Sequence, residues 1–364
     1  MLAGAPQSPS TQFGLRRRRH TPNRLAKSNV VRHLGMNILE HHRTQNWLKQ
    51  FKNSNDYLLA ALFLRSLKLV SFAEFEGAIT EQITSIPKDV KSRTALFPVV
   101  RQDAADFLPD SSGRIRHMFK NLYRQDKRRF CIEPSFESMR AQKVKNIVLV
   151  DDIVGSGKRL DGYLKTAITP TIKSWLSYKL CKIFIVSYAI TTEGEAFVRR
   201  RHKYLKQENF ISVMNRDGLF QFGNKDLVDL LTRYGSRASG PTMYLGFKGV
   251  HTNIVFQHGA PNNLPGILVK DSKEWMALFT DRAIPKDMYP LFESKKSFWD
   301  IFRLKTVNVQ KYSELLDDFR KIEEIDKLNL ISVLNLLTKG YKLKKALHIG
   351  NFTSSQVENI QTKL

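Results

Sequence analysis

The chain has 364 residues, 42% of them hydrophobic, and 59 Lys and Arg against 34 Asp and Glu give a formal net charge of +25. The length has room for two or three domains and a substantial core, and no apolar run approaches the ~20 residues that span a bilayer. So large a basic excess goes beyond what a small-molecule enzyme needs and predicts a polyanionic partner, nucleic acid first.

No apolar stretch of a secretory signal opens the chain, and a cytoplasmic location is expected. Cys131 and Cys181 lack metal-ligand spacing and read as reduced thiols. Residues 1–45 are rich in Pro, Ser, Gly and Arg, with Glu40 their only acid. They read as a flexible basic arm. Its sharpest run, Arg16, Arg17, Arg18 and Arg19, is a candidate nucleic-acid contact. An Arg-rich, acid-poor start also has the composition of a transit peptide, which nothing else in the sequence supports.

Residues 46–90 read as a helical module. Trp47, Leu48 and Phe51 share one face, and Leu58, Leu59, Leu62 and Phe63 form a second stripe. Ser71 and Glu74 form a capping box that opens a further helix with Phe72, Phe75, Ile79 and Ile83 apolar. Pro87 closes it. The aromatics of this module are expected in the core.

Residues 96–100 read as a strand. Arg101 follows its end and would contact pyrophosphate or a base, if it is not a solvated, salt-bridged side chain. Asp110-Ser111-Ser112-Gly113 is a turn into a basic helix carrying Arg114, Arg116, His117, Lys120 and Arg124.

The centre of the chain is Ile147-Val148-Leu149-Val150, then Asp151-Asp152-Ile153-Val154, then Gly155-Ser156-Gly157-Lys158-Arg159. The first four residues read as a buried parallel strand that stops at the two carboxylates. A small-residue turn at a helix start is a phosphate cradle, because its N–H groups and the helix N-terminus both favour an anion. A Walker A loop does not fit. Its first Gly falls on Asp152, and Arg159 replaces the Ser/Thr. A bland alternative is that the acidic pair only caps the next helix.

The pattern resembles the phosphoribosyl-pyrophosphate (PRPP) signature of type I phosphoribosyltransferases. That resemblance implies that Asp151 and Asp152 hydrogen-bond the ribose hydroxyls. It gives the 5′-phosphate to Ser156 and the N–H groups of Gly155, Gly157 and Lys158. It also implies Mg2+ accompanying a PRPP-type ligand. Gly155-Ser156-Gly157 departs from the usual Thr-Thr-Gly by one hydroxyl.

A helix is expected from Lys158 to Ile168, and Thr169-Pro170 starts a second one. Ile183-Phe184-Ile185-Val186 is the next buried strand, which makes a βαβ unit. A helix from near Glu193 carries Arg199, Arg200, Arg201 and Lys203. They read either as a polyanion contact or as a solvated face. Residues 210–213 read as another strand.

Residues 234–263 are rich in Gly and Ser and end in a strand running into Pro261-Asn262-Asn263-Leu264-Pro265, with Trp275 and Phe279 beyond. The acidic pair with its loop, the upstream Asp-Ser-Ser-Gly and the late Pro-Asn-Asn together resemble the phosphoribosyltransferase-like effectors of bacterial conflict systems. Some of these are encoded beside retron reverse transcriptases and act as antiphage toxins. The resemblance covers residues 46–285. It implies substrate contacts at Ser111, Ser112, Asn262 and Asn263, beside the Arg101 contact read from its place at a strand end, with Leu264 standing where a small polar residue is expected.

Residues 295–364 read as polar helices ending in helix, Gly turn and capped helix. These are a helix-turn-helix, three packed helices without a DNA role, or a protein-docking module. The expected fold is α/β, a mostly parallel sheet with helices on both faces over residues 91–290, flanked by helical modules. The expected function is ribosyl transfer or N-glycosidic cleavage on nucleotides or nucleic acid, as a restrained toxin. Its expected partners are an RNA or RNA–DNA hybrid, such as a retron's msDNA, and a reverse transcriptase. The alternative is a nucleic-acid-binding regulator or ribonucleoprotein subunit whose PRPP pocket is sensory or inactive.

Overall fold

A computed structural model of the chain describes residues 38–87, 92–100, 112–214 and 225–293. Arg16–Arg19, Arg101, Ser111 and the expected helix-turn-helix of residues 295–364 lie outside the described residues. In chain order, helices α1 (His42–Leu48) and α2 (Ser54–Arg65) lead to strand β1 (Lys68–Val70) and helix α3 (Phe72–Ser85). Then come β2 (Arg93–Pro98), α4 (Ser112–Gln125), β3 (Phe130–Ile132), α5 (Phe136–Ala141) and β4 (Val144–Val154). Next are α6 (Lys158–Ala167), α7 (Pro170–Ser177), β5 (Lys182–Ile190), α8 (Thr192–Arg201) and β6 (Phe210–Ser212). The last are α9 (Lys225–Ala238), β7 (Ile254–Phe256), α10 (Gly266–Val269) and α11 (Tyr289–Glu293).

Five strands form one parallel sheet in the order β3-β2-β4-β5-β6. Successive side chains of a strand point to opposite faces, so β4 serves two cores at once. Val148 and Val150 pack with Phe75 and Ile79 of α3 and with Ile115 and Phe119 of α4. Ile147 and Leu149 pack on the other face with Leu160 and Leu164 of α6, Ile172 of α7 and Val198 of α8. The fold is therefore the expected α/β type, a parallel sheet covered by helices on both faces. No helix among the described residues is long and apolar enough to cross a membrane.

The helix starts follow local chemistry. The Ser71 hydroxyl accepts from Glu74 N at 3.1 Å, and the hydroxyl of Thr169, before Pro170, accepts from Ile172 N. Each satisfies a backbone donor that the first helical turn leaves unpaired.

A third core joins α1 and α2 to α9, α10 and the segment up to Phe292. The indoles of Trp47 and Trp275 both donate to the carbonyl of Ile267, at 3.1 and 2.8 Å. The expected helical module of residues 46–90 thus divides, with α1 and α2 in this core and α3 on the sheet. A parallel pair, β1 with β7, links the cores. Val255 faces the helical core, while Ile254 and Phe256 face that of α3 and α4.

Candidate active site

The acidic pair is not at the end of a strand, as the sequence suggested, but inside β4. Strand β5 is long enough to continue the ladder, pairing Asp151 with Ser187 and Val154 with Ile190. On the other side β2 stops at the pairing of Pro98 with Val150, and the last bond joins Val99 N to Val150 O at 2.8 Å. From β2 the chain runs outward to β3, then crosses back to β4, so the winding direction reverses between β2 and β4. In open α/β sheets such a reversal leaves a ligand crevice beyond the carboxyl ends of the strands. Asp151 and Asp152 lie at that reversal, just past the end of the β2 ladder.

Arg159, on the first turn of α6, reaches back to both carboxylates. Its Nε donates to Asp151 Oδ2 at 3.1 Å, and its Nη2 bonds an oxygen of each aspartate. The Asp151 side chain is 1% exposed and that of Asp152 13%. Burial raises the Asp151 carboxyl well above the usual carboxylate range, despite the guanidinium. Burial acts the same way on Asp152, but Arg159 and His258 outweigh it and hold Asp152 well below that range. The environments push the two carboxyls apart, as in an acid and a base with separate roles.

The loop 155–157 is clamped from two sides. On one side Thr191 caps α8, accepting from Gly194 N at 2.9 Å and donating to the carbonyl of Gly155 at 2.6 Å. Gly157 has φ +74, and a Cβ there would meet the carbonyl of Gly194 at 2.6 Å. On the other side stands the Asn263 carboxamide, against Gly155. Asn263 is buried, and its Nδ2 donates to Val250 O at 2.8 Å. Its carbonyl accepts from Thr252 N at 2.9 Å, and Asn262 O accepts from Phe247 N at 3.0 Å. The Pro-Asn-Asn segment and the loop, more than a hundred residues apart, are therefore one structure. Leu264 explains its own departure from the resemblance, since it is fully buried in the core with Ile267 and Leu268.

Lys158 begins α6 at the surface. Lys248 stands beside it and lowers its pKa, with Arg201 adding to the effect. Three cations thus gather near the loop and favour an anion there.

His258 follows β7. Its Nε2 lies 3.8 Å from Asp152 Oδ2. The ring stacks on Phe256 (centroids 5.0 Å, 14°) and meets Phe75 edge-on (5.0 Å, 64°).

Of the expected site residues, the structure brings together Asp151, Asp152, Gly155, Ser156, Gly157, Lys158 and Asn263. Asn262 holds the adjoining loop through its backbone. Ser112 is the buried first residue of α4, and its hydroxyl accepts from Arg116 at 3.2 Å. On α8, Arg199 pairs with Glu195 and Arg201 with Asp161, each at 3.2 Å. Arg200 and Lys203 show no ion pair among the described residues. Sequence reasoning gave no role to Arg159, Lys248 or His258. Arg159 had a signal, a cation two residues beyond the small-residue loop and close behind two carboxylates.

One other cluster has metal-ligand composition, His41, His42 and Asp287, whose ligand atoms lie within 4.8 Å of one another. Its bonds are those of a helix start. His41 Nδ1 accepts from Arg43 N at 3.3 Å, and Arg43 Nε donates to Asp287 at 2.7 Å.

The PRTase-CE family model matches residues 44–280. No curated protein and no solved structure matches the chain.

Proposed function

The chain belongs to the PRTase-CE family, and from that premise we propose that the crevice beside Asp151 and Asp152 binds PRPP or a related ribose 5-phosphate. The observation that carries this reading is the acidic pair at the winding reversal, joined to a small-residue loop clamped by Thr191 and Asn263. In this reading the Ser156 hydroxyl and the N–H groups of Gly155 to Lys158 hold the 5′-phosphate at the start of α6. Lys158 and Lys248 add positive charge. The ionised Asp152 accepts hydrogen bonds from the ribose hydroxyls and favours positive charge on the ring. A ribosyl cation needs no strong nucleophile from the protein, so positioning and electrostatics carry the reaction. The outcome is ribosyl transfer to, or N-glycosidic cleavage of, a nucleotide or nucleic-acid component.

Magnesium would have to come with such a ligand. Both carboxylates are engaged by Arg159, and Asp151 is buried and held toward its neutral form. A pair so balanced does not fit a protein-held Mg2+, which takes one or two ionised carboxylates plus substrate phosphates.

The same Arg159 contact favours a second reading, a sensory pocket without turnover, since it occupies acceptors that a catalytic ribose would use. In both readings the surplus of basic residues serves a retron-type nucleic acid with its reverse transcriptase, and in the first the activity is a restrained toxin of antiphage defence.

Calorimetry of the full chain with PRPP, with and without Mg2+, tests the site. Asp152→Asn should weaken binding by roughly 1.5–3 kcal/mol, the worth of a hydrogen bond to a charged acceptor. Equal affinity in wild type and variant would remove the acidic pair from the site. Growth on expression separates the two readings. Toxicity relieved by Asp152→Asn supports turnover, and toxicity that persists does not.

A further inference from the structure

His258 is left unused by the ribose-phosphate reading, yet its setting is unusual. Both ring nitrogens are shut off from solvent and have no hydrogen-bond partner among the described residues. The 3.8 Å separation from Asp152 Oδ2 suits an ion pair and is too long for a hydrogen bond. The ring cannot turn freely, because Phe256, Phe75 and Phe72 confine it (Phe72 stacked, centroids 6.4 Å).

Other charged groups near this cage pair with one another. Arg159 holds the acidic pair. Glu74 of α3 accepts from Tyr188 of β5 at 2.6 Å and pairs with Lys68 at 3.0 Å. Arg114 of α4 lies 3.9 Å over Phe72 and pairs with Glu76 at 3.2 Å, where His117 also approaches at 3.8 Å. Tyr289 meets the edge of Phe72. Among the described residues, Asp152 is the acid within ion-pair distance of the imidazole.

A buried imidazole nitrogen without a partner costs free energy, and a ligand in the crevice would supply one. The ring follows the carboxyl end of β7, and the acidic pair lies in the stretch of β4 that runs on past its last pairing with β2. Two separate sheets thus deliver their strand ends to one place.

We propose that His258 is the catalytic base of the ribosyl reaction, taking the proton of an N–H or O–H nucleophile that attacks the anomeric carbon. This rests on the ribose-phosphate reading. The nucleophile bonds to the anomeric carbon as the bond from that carbon to the pyrophosphate oxygen breaks. The electron pair of that bond leaves with pyrophosphate, and the nucleophile's proton passes to the imidazole. The imidazolium so formed lies beside the ionised Asp152, which lowers its energy. The acceptor class follows: a neutral group with a proton to lose, such as a nucleobase amide or amine, a hydroxyl, or water.

The test uses the full chain with PRPP as ligand and water as acceptor, read as pyrophosphate release alongside calorimetric PRPP binding. His258→Gln should bind PRPP as the wild type does and lose about 10²–10⁴-fold in kcat. The fall of the wild-type rate toward low pH, the limb that a catalytic base sets, should vanish with it. Imidazole in the buffer should restore part of the rate of His258→Gly. A His258→Gln variant with wild-type rate and profile would overturn the proposal. So would one that loses PRPP affinity but not kcat, and so would a wild type that binds PRPP and releases no pyrophosphate. Failure of the wild type to bind PRPP at all is a different result, and sinks the ribose-phosphate reading itself.

Discussion

The Asn263 carboxamide occupies the place where a Cβ on Gly155 would have to be. The loop that follows β4 and the segment that follows β7 therefore fit only because residue 155 has no side chain. Asn263 is not free to retreat, being buried and bonded to Val250 O. Gly155→Ala should cost about 1–3 kcal/mol, the usual penalty for overpacking, and weaken PRPP binding through the displaced loop. Urea unfolding and calorimetry on one preparation measure both. A fully stable variant with wild-type affinity would show that the two segments do not depend on each other.

Arg159 is the counterion of two buried carboxylates. Arg159→Met leaves Asp151 without a counterion and Asp152 with His258 alone, at a cost of roughly 3–5 kcal/mol, as for other broken buried pairs. Without the guanidinium, burial and mutual repulsion raise both carboxyls. A group with a raised folded pKa contributes stability below its unfolded pKa and loses it as pH rises through the folded value. The deficit of Arg159→Met against wild type should accordingly be smallest near pH 4 and grow toward pH 8. Unfolding across that range checks it, and a deficit independent of pH would place the role of Arg159 in packing alone. Lysine should not substitute, since one ammonium lacks the fork that bridges both acids.

Asp56 is a pin between the first helices and α9. It is buried and accepts from Arg233 at 2.7 and 2.9 Å and from Tyr234 at 2.8 Å. Burial alone would raise its carboxyl, but these partners together hold it below the usual range. A depressed acid contributes stability above its unfolded pKa of about 3.9, lost as pH falls through the folded value. Asp56→Asn should cost about 2 kcal/mol at pH 7, for charged hydrogen bonds made neutral. It should also flatten the loss of stability between pH 4 and pH 2. The same acid transition in the variant as in wild type would assign that loss to other carboxylates.

Much of this was legible because it is written in short spans. The apolar run Ile147–Val150, the caps at Ser71 and Thr169, and the loop at Gly155 each need only a few neighbours to be read. Strands β1 and β3 are three residues long, too short for alternation to show. Helix α9 went unread although Leu227, Leu230, Leu231 and Tyr234 carry the spacing of a buried face. The Gly and Ser content beyond it masked that pattern. His258 was illegible for a different reason. Its meaning lies in a 3.8 Å approach to a residue more than a hundred positions away, and that approach exists only after two sheets have formed.

The surplus of charge is partly taken up within the fold. Two of the four basic residues expected to bind nucleic acid on α8 and just beyond it are already committed. Arg199 pairs with Glu195, and Arg201 with Asp161, which also holds Lys165 at 2.9 Å and His202 at 2.9 Å. An arginine so engaged must give up a partner before it can take a phosphate. Arg200 and Lys203 carry no such cost among the described residues. If a polyanion crosses this face, the double variant Arg200→Gln and Lys203→Gln should lower the salt slope of binding by about 1.4–1.8, for two phosphate contacts at 0.7–0.9 each. Arg201→Gln should change the slope little and instead loosen the cluster on Asp161. Removing residues 1–35, with the run Arg16–Arg19, should flatten the slope further, and sequence preference should stay weak, because such contacts grip phosphates and do not read bases. Mobility shifts across a salt series, with structured RNA and an RNA–DNA hybrid as probes, measure each slope. A double variant with the wild-type slope would exclude this face from the contact. A full chain that binds neither probe at low salt would leave the +25 charge to a different polyanion.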